Sequence, residues 1–194
     1  MAFNFSSFEQ TSRDVTTLWL TLPEVADQIN LFGDESQDAY LTSLELATRM
    51  HIEDYLGVSF FTTGYRVWYD RSADKLDLPV GGSGVTVIAV KYWNNNIPAV
   101  LTTVATSSYQ LDSTGARVIV HAAPTNVSES FANPIVVDYT LTPSLLAGYP
   151  AVKQAALLLL THLYNQRSQT TETALKEIPF GVAALLRPYK ALVM

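Results

Sequence analysis

The stretch 150-PAVKQAALLLLTHLYNQR-167 decides how the rest of the chain has to be arranged. It is the longest segment without a breaker and the most apolar. Pro150 suits a first helical position, where its missing N–H costs nothing. Val152, Ala155 or Ala156, Leu159 and Leu163 recur at three- and four-residue spacing, the stripe of a core-facing helix. Leu157, Leu160 and Tyr164 widen that stripe, while Lys153, Gln154, Thr161 and Asn165 mark a polar side that Leu158 interrupts. At ~1.5 Å per residue the helix spans roughly 27 Å. A membrane span needs about 20 apolar residues, and this run is shorter and interrupted. A helix apolar on nearly every side needs cover on nearly every side.

Working outward, Thr21-Leu22-Pro23-Glu24 has the spacing of a capping box, and Leu22, Val25 and Ile29 predict a short helix closed by Gly33. A second long helix is predicted from about Ser36 to Leu56, with Gly57 as its stop. Its inward stripe reads as Tyr40, Leu44, Ala47, His51 and Tyr55, helped by Leu41 and Ile52. Glu45, Glu53 and Asp54 read as outward. After Gly57 the period changes to two. TGYRVWYD, KLDLPV, VTVIAVKYW, SYQLD, RVIV and PIVVDYTL predict about six short strands, punctuated by Gly81-Gly82, Asn94-Asn95-Asn96 and Gly115. The fold class is therefore α+β: a small bundle of two long helices plus short terminal helices, with an inserted antiparallel sheet. The boundaries read as an N-terminal arm at 1–20 and a single domain at 21–194, whose helical parts are 21–57 and 143–194 and whose β insertion is 62–141. A C-terminal arm covers 176–194.

The totals narrow the function. Charged residues make up 15% of the 194-residue chain and hydrophobic ones 48%, a folded chain with few surface charges and surface to spare for an assembly. There is no cysteine, which removes disulfides, thiolate catalysis and thiolate metal sites. MAFNFSSFEQ has neither the basic segment nor the apolar run of a signal peptide. The net charge of −6 divides as −8 over Met1–Phe60 (ten acids, two bases), −1 over Phe61–Pro150 (six and five) and +3 over Ala151–Met194 (two and five). An acidic front and a basic back can pair head to tail with copies of the same chain. The acidic total argues against affinity for DNA phosphates. Phe3, Phe5 and Phe8, in a segment without clear period, and Leu158 and Tyr164 on the apolar helix are the expected subunit-interface residues.

A search for chemistry returns little. Asp34, Ser36, Asp38 and Glu45 stand at positions 1, 3, 5 and 12 of a calcium-loop spacing, but Ala39 occupies the place that needs glycine. Acids ahead of a helix are explained by capping and the helix dipole. His51, His121 and His162 are scattered, and Gly81-Gly82-Ser83-Gly84 joins two strands and opens no helix. No catalytic motif, metal set or cofactor site is read. Trp68, Tyr69, Tyr92 and Trp93 on strands leave open a glycan- or peptide-binding β-module, against the plainer account that half of them face a core.

The order of elements resembles the head–tail connector (adaptor, or head-completion) proteins of tailed bacteriophages, in particular the longer subfamily with a β insertion. The resemblance covers about Thr21 to Lys190. It rests on Ile52-Glu53-Asp54-Tyr55-Leu56-Gly57, on Leu163-Tyr164-Asn165-Gln166-Arg167, and on Pro179-Phe180-Gly181-Val182 with Leu185-Leu186-Arg187-Pro188-Tyr189. The chain departs from the family in its longer first twenty residues and in the turn Thr142 to Gly148. The resemblance implies a non-enzymatic virion structural protein, without cofactor, made in the host cytoplasm and built into the neck between capsid and tail. It implies a homo-oligomeric ring, commonly of twelve subunits, that binds the portal and extends the DNA channel. DNA would pass without specific binding, and the ring would be a platform for the next neck or tail protein. It also implies that Lys176 to Met194 reach the portal, with Phe180, Leu185, Leu186, Tyr189 and Met194 as apolar anchors and Arg187 and Lys190 as charged contacts. A stopper or tail-completion protein is the alternative within the neck.

Overall fold

The computed structural model describes residues 4–31, 33–82, 84–166 and 180–190, and it divides the chain into two compact units. One is a β unit, Met1–Asp14 with Phe61–Pro143; the other is a helical unit, Val15–Phe60 with Ser144–Met194. The fold is α+β, with the antiparallel sheets inserted between helical segments.

In the helical unit, α1 (Leu22–Gln28) starts at the capping box read from the sequence. The Thr21 hydroxyl accepts from the Glu24 N–H, and the Glu24 carboxylate accepts from the Thr21 N–H at 2.8 Å. Those bonds, helped by Lys153 and against the opposing effect of burial, hold the Glu24 carboxyl below its ordinary range. A 3-10 turn, Glu35–Gln37, leads into α2 (Asp38–Leu56), which ends at Gly57 with φ 69°, a left-handed cap that glycine adopts without strain. α3 (Pro150–Asn165) packs against α1, α2 and α4 (Phe180–Leu186). It buries Val152, Ala155, Ala156, Leu159 and Leu160, four of them on the stripe its periodicity announces. Burying a leucine such as Leu160 contributes about 1.5–3 kcal/mol, and the small Ala155 and Ala156 let neighbouring helices approach.

The α2 stripe differs from expectation. The buried face is Leu41, Glu45, Thr48, Arg49, Ile52, Glu53 and Leu56, while Ala47 and His51 are exposed. Glu45 and Glu53, read as outward, point inward because irregular chain beside α2 offers backbone N–H groups that need acceptors. Glu45 Oε1 accepts from the N–H of Trp19 and of Leu20, both at 3.1 Å, and Glu53 Oε1 accepts from the N–H of Phe60.

The β unit holds eight strands among the described residues, two more than the pattern predicts. β1 (Ser7–Ser12), β2 (Thr63–Tyr69), β8 (Ile135–Leu141), β4 (Val85–Trp93) and β5 (Leu101–Thr103) form one sheet in that order, with every neighbouring pair antiparallel. β3 (Lys75–Asp77), β7 (Arg117–Val120) and β6 (Tyr109–Leu111) form a second, three-stranded sheet. Tyr65, Val67, Tyr69, Val90, Val137 and Tyr139 of the larger sheet share one core with Leu76, Leu78, Val118 and Val120 around the smaller. A bulge at Ile88 breaks the alternation of β4, so that Val87 opposite Tyr139 and Val90 opposite Val137 both keep the inner face. Gly115, φ 68°, closes the β6–β7 hairpin; a Cβ there would lie 1.8 Å from the Gly82 carbonyl oxygen.

β1 and β5 are the strands the sequence did not announce. SFEQTS is exposed throughout and carries its acid, Glu9, on an outer edge, the composition that discourages edge-to-edge aggregation. Within the segment read as an N-terminal arm at 1–20, Ser7–Ser12 belongs to the chain's own sheet, while Trp19 and Leu20 belong to the helical unit.

Candidate interaction surfaces

The helical unit presents the residues singled out on α3 and at the C-terminus. Leu158 remains 39% exposed on α3. It borders a groove of about 440 Å³ with Thr161, His162, Asn165 and Val182 in its lining. Tyr164 is engaged within the unit: its hydroxyl donates to Gln37 Oε1 at 2.9 Å, and its ring lies 6.1 Å from that of Tyr40. Leu186 is 1% exposed and anchors α4 in its own core. Leu185 is half-buried, Arg187 is exposed, and Tyr189 meets Tyr149 edge-on at 5.6 Å between ring centroids. Lys190 Nζ stands 4.5 Å above the centre of the Tyr55 ring. Phe180 opens α4, and its side chain, like Phe3, Met194 and the segment from Lys176 to Pro179, lies outside the described residues.

Beneath this surface sits a buried set of charges on α2. Glu45, Arg49 and Glu53 follow at i, i+4 and i+8, and Arg49 is 0% exposed. Arg49 Nη1 donates to the Thr17 carbonyl, and Arg49 Nε lies 4.0 Å from Glu53 Oε2. Burial pushes the Glu45 carboxyl above its ordinary range, against the two backbone N–H bonds and the nearby Arg49 that favour its charge. Glu45 Oε2 has no hydrogen-bond partner among the described residues. Of the calcium-loop spacing, Asp34 caps the 3-10 turn by accepting from the Ser36 N–H at 2.9 Å, and Glu45 is committed to Trp19 and Leu20.

The β unit has its own charged centre, on the face of the large sheet away from the core. Asp138 takes Arg66 Nε at 2.7 Å and Lys91 Nζ at 2.8 Å. Burial alone would raise the Asp138 carboxyl, but the two cations outweigh it and hold it below the ordinary carboxylate range. Tyr69 and Tyr139 are pushed up by burial; their hydroxyls are bonded to the Asp77 carbonyl and the Val80 N–H. Alternation divides the strand aromatics as it must: Tyr69 and Tyr92 belong to the core side, and Trp68 and Trp93 to the other. Trp93 stacks on Phe131, with centroids 4.6 Å apart and planes 5° from parallel. Phe5 packs against the β core and meets Phe8 edge-on at 5.7 Å, which leaves Phe8 half-exposed at the sheet edge.

Sequence reading passed over the loop between β4 and β5. Ile97, Val100 and Leu101 project from it, Ile97 being fully exposed. The available signal was a charge gap: no charged residue stands between Lys91 and Asp112, the longest such run in the chain. Among the described residues no helix is long and apolar enough to cross a membrane.

No protein-family model matches the sequence, and no curated protein matches it. Solved structures do. A chain in the neck of an empty GTA particle computed with C6 symmetry is 24% identical with TM-score 0.68, 97% of each chain being covered. A chain in the virion of the native gene transfer agent (GTA) particle is 23% identical with TM-score 0.66, at the same coverage. One in the neck of the native GTA particle computed with C12 symmetry gives 22% and 0.60, again over 97% of both. The likeness extends end to end, over both units, and establishes a shared fold.

Proposed function

We propose that this chain is a structural neck protein of a phage-type particle: a non-enzymatic, ring-forming head-to-tail adaptor that binds the portal and extends the DNA channel. It would also carry the next neck or tail protein. The observation that carries the reading is the fold shared over 97% of both chains with proteins in particle necks of C12 and C6 symmetry. The order of elements resembling the connector family, and a charge distribution suited to head-to-tail contact, support it independently. In this reading the protein is made in the host cytoplasm and ends in the virion neck. Its net charge of −6 suits a conduit along which phosphates slide without sticking.

Within that function, the C-terminal segment from Lys176 to Met194 is the portal-facing arm. Leu185, Arg187, Tyr189 and Lys190 are its contact residues in the described part, and Phe180 and Met194 complete it. Tyr189 and Lys190 would exchange their present partners, Tyr149 and Tyr55, for the portal. Phe3, Phe8, Leu158 and the rim beside Tyr164 are assigned to contacts between subunits.

Native mass spectrometry and negative-stain imaging test the ring directly, with twelve-fold particles expected. A chain that stays monomeric even with portal present would overturn the adaptor reading. Binding to tails while ignoring portal rings would move the protein to a stopper or tail-completion position. Deleting Arg187 to Met194 should abolish portal capture while the fold survives; undiminished capture would refute the arm.

A further inference from the structure

We infer that the tip of the β4–β5 hairpin, Ile97 to Leu101, is a contact surface for a second copy of this chain; the inference rests on the ring reading above. Ile97 is fully exposed, Val100 is 51% exposed and Leu101 is 40% exposed. Three aliphatic side chains in five residues, on one protruding turn, exceed the scattered apolar exposure normal for a surface. Leu101 sits opposite Trp93 in the strand pair next to the loop, and Trp93 stacks on Phe131, so the apolar surface continues from the tip to Phe131.

The loop that presents Ile97 is built around one buried amide. Asn94 is 6% exposed; its Oδ1 accepts from the Val100 N–H at 2.9 Å and the Asn96 N–H at 3.1 Å, and its Nδ2 donates to Thr102 Oγ1 at 3.1 Å. The Asn94 N–H donates to the Val100 carbonyl at 3.1 Å. From the neighbouring loop, Ser128 N–H donates to the Trp93 carbonyl at 2.7 Å, and the Asn126 carbonyl accepts from the Asn95 N–H at 3.0 Å. A tip ordered before contact loses little conformational entropy on docking, so its apolar area converts more fully into affinity.

Charge selects the occupant. The tip lies inside the chain's longest uncharged run, Tyr92 to Leu111, so it offers no cation to a nucleic acid and no anion to a basic protein. Copies that each carry −6 repel one another, and an uncharged contact adds no like-charge pair and desolvates no ion. Chains of this fold occur in particle necks computed with C12 and C6 symmetry, and in the ring reading copies stand side by side around such an axis. Neighbours in such a ring meet through two different patches, so one protruding tip per subunit can serve each junction.

The chain lacks cysteine, so Ile97→Cys introduces a sole thiol without touching the fold. Maleimide labelling of that thiol should be about tenfold slower in assembled rings than in dilute protomers, as burial at an interface core requires. Ile97→Asp should raise the concentration needed for assembly by about tenfold or more, read by native mass spectrometry, with an unchanged melting temperature. Ile88→Asp, at the exposed β4 bulge, adds the same charge elsewhere and should assemble normally. Rings that form with Cys labelled at the protomer rate and with Ile97→Asp assembling normally would overturn the inference and leave the ring reading standing. So would Ile97→Asp rings that form normally but lose a different neck partner. A wild-type chain that forms no ring under any condition would overturn both.

Discussion

The two units handle charge in opposite ways. In the helical unit, α2 carries Glu45, Arg49 and Glu53 into the interior, where their partners are mostly backbone groups of Thr17, Trp19, Leu20 and Phe60. In the β unit, Asp138 meets Arg66 and Lys91 on a half-open sheet face, and the partners are side chains. The first set lies at 0–3% exposure and holds irregular chain against a helix; the second remains 13–39% exposed and decorates strands already fixed by their ladder. A buried charge satisfied by backbone is a structural fastener, and removing one member strands the others. A surface ion cluster adds little to strands that pair without it.

Substitutions can break this contrast. The largest effect is expected at Arg49. Arg49→Met leaves two buried carboxylates without their cation and the Thr17 carbonyl without its donor, at a cost of about 3–5 kcal/mol; urea denaturation measures it, and a loss under about 1 kcal/mol would refute the fastener role. Asp138→Asn should cost about 1 kcal/mol, discounted for the exposure of Arg66. Because the Asp138 carboxyl is held low, its stabilisation is complete above its unfolded value of 3.8 and disappears as pH falls through the lower folded value. The Asn variant should therefore lose part of the wild-type decline in melting temperature between about pH 4 and pH 2.

Glu45 has the opposite sign. Burial raises its folded value above 4.5, so the native state takes up a proton before the unfolded state does, and Glu45 gains stability as pH falls through that raised value. Glu45→Gln keeps an acceptor for Trp19 and Leu20 without the ionisation cost. It should stay within about 1 kcal/mol of wild type at neutral pH and remove that acid-side gain; a loss comparable to Arg49→Met would show that the charge itself is needed. Leu158→Lys should change protomer stability least, within about 0.5 kcal/mol, because the side chain is already partly in water. Its effect belongs to assembly: a folded protomer that forms rings poorly in sedimentation, whereas normal rings would remove Leu158 from the interface.

Much of the fold was legible because its signals are local. The Thr21–Glu24 box, the Gly57 stop, the Pro150 start and the alternation of Tyr65, Val67 and Tyr69 each need only a few neighbouring residues. β1 had no such signal: SFEQTS is polar, and its partner β2 lies more than fifty residues away, so pairing follows from an open sheet edge. The α2 stripe failed for a related reason. Hydrophobicity assigns glutamates to water, and only the chain folded beside them supplies the amides that draw Glu45 and Glu53 inward. Of the interaction surfaces, Leu158 was visible as an apolar residue on a polar side, whereas the burial of Leu186 at 1% exposure depends on the packing of α4, which its local sequence does not carry. The hairpin tip was marked only by missing charge.

The sequence by itself determined the element types, most of the strands of the β insertion and the apolar excess of 150-PAVKQAALLLLTHLYNQR-167, since propensity, period and capping act over a few residues. Only the tertiary structure decided which α2 charges are buried, that Ser7–Ser12 joins the sheet, and that Asn94 holds Ile97 out in water. Each of those depends on backbone and side-chain groups brought together from distant parts of the chain, and no local pattern encodes that meeting.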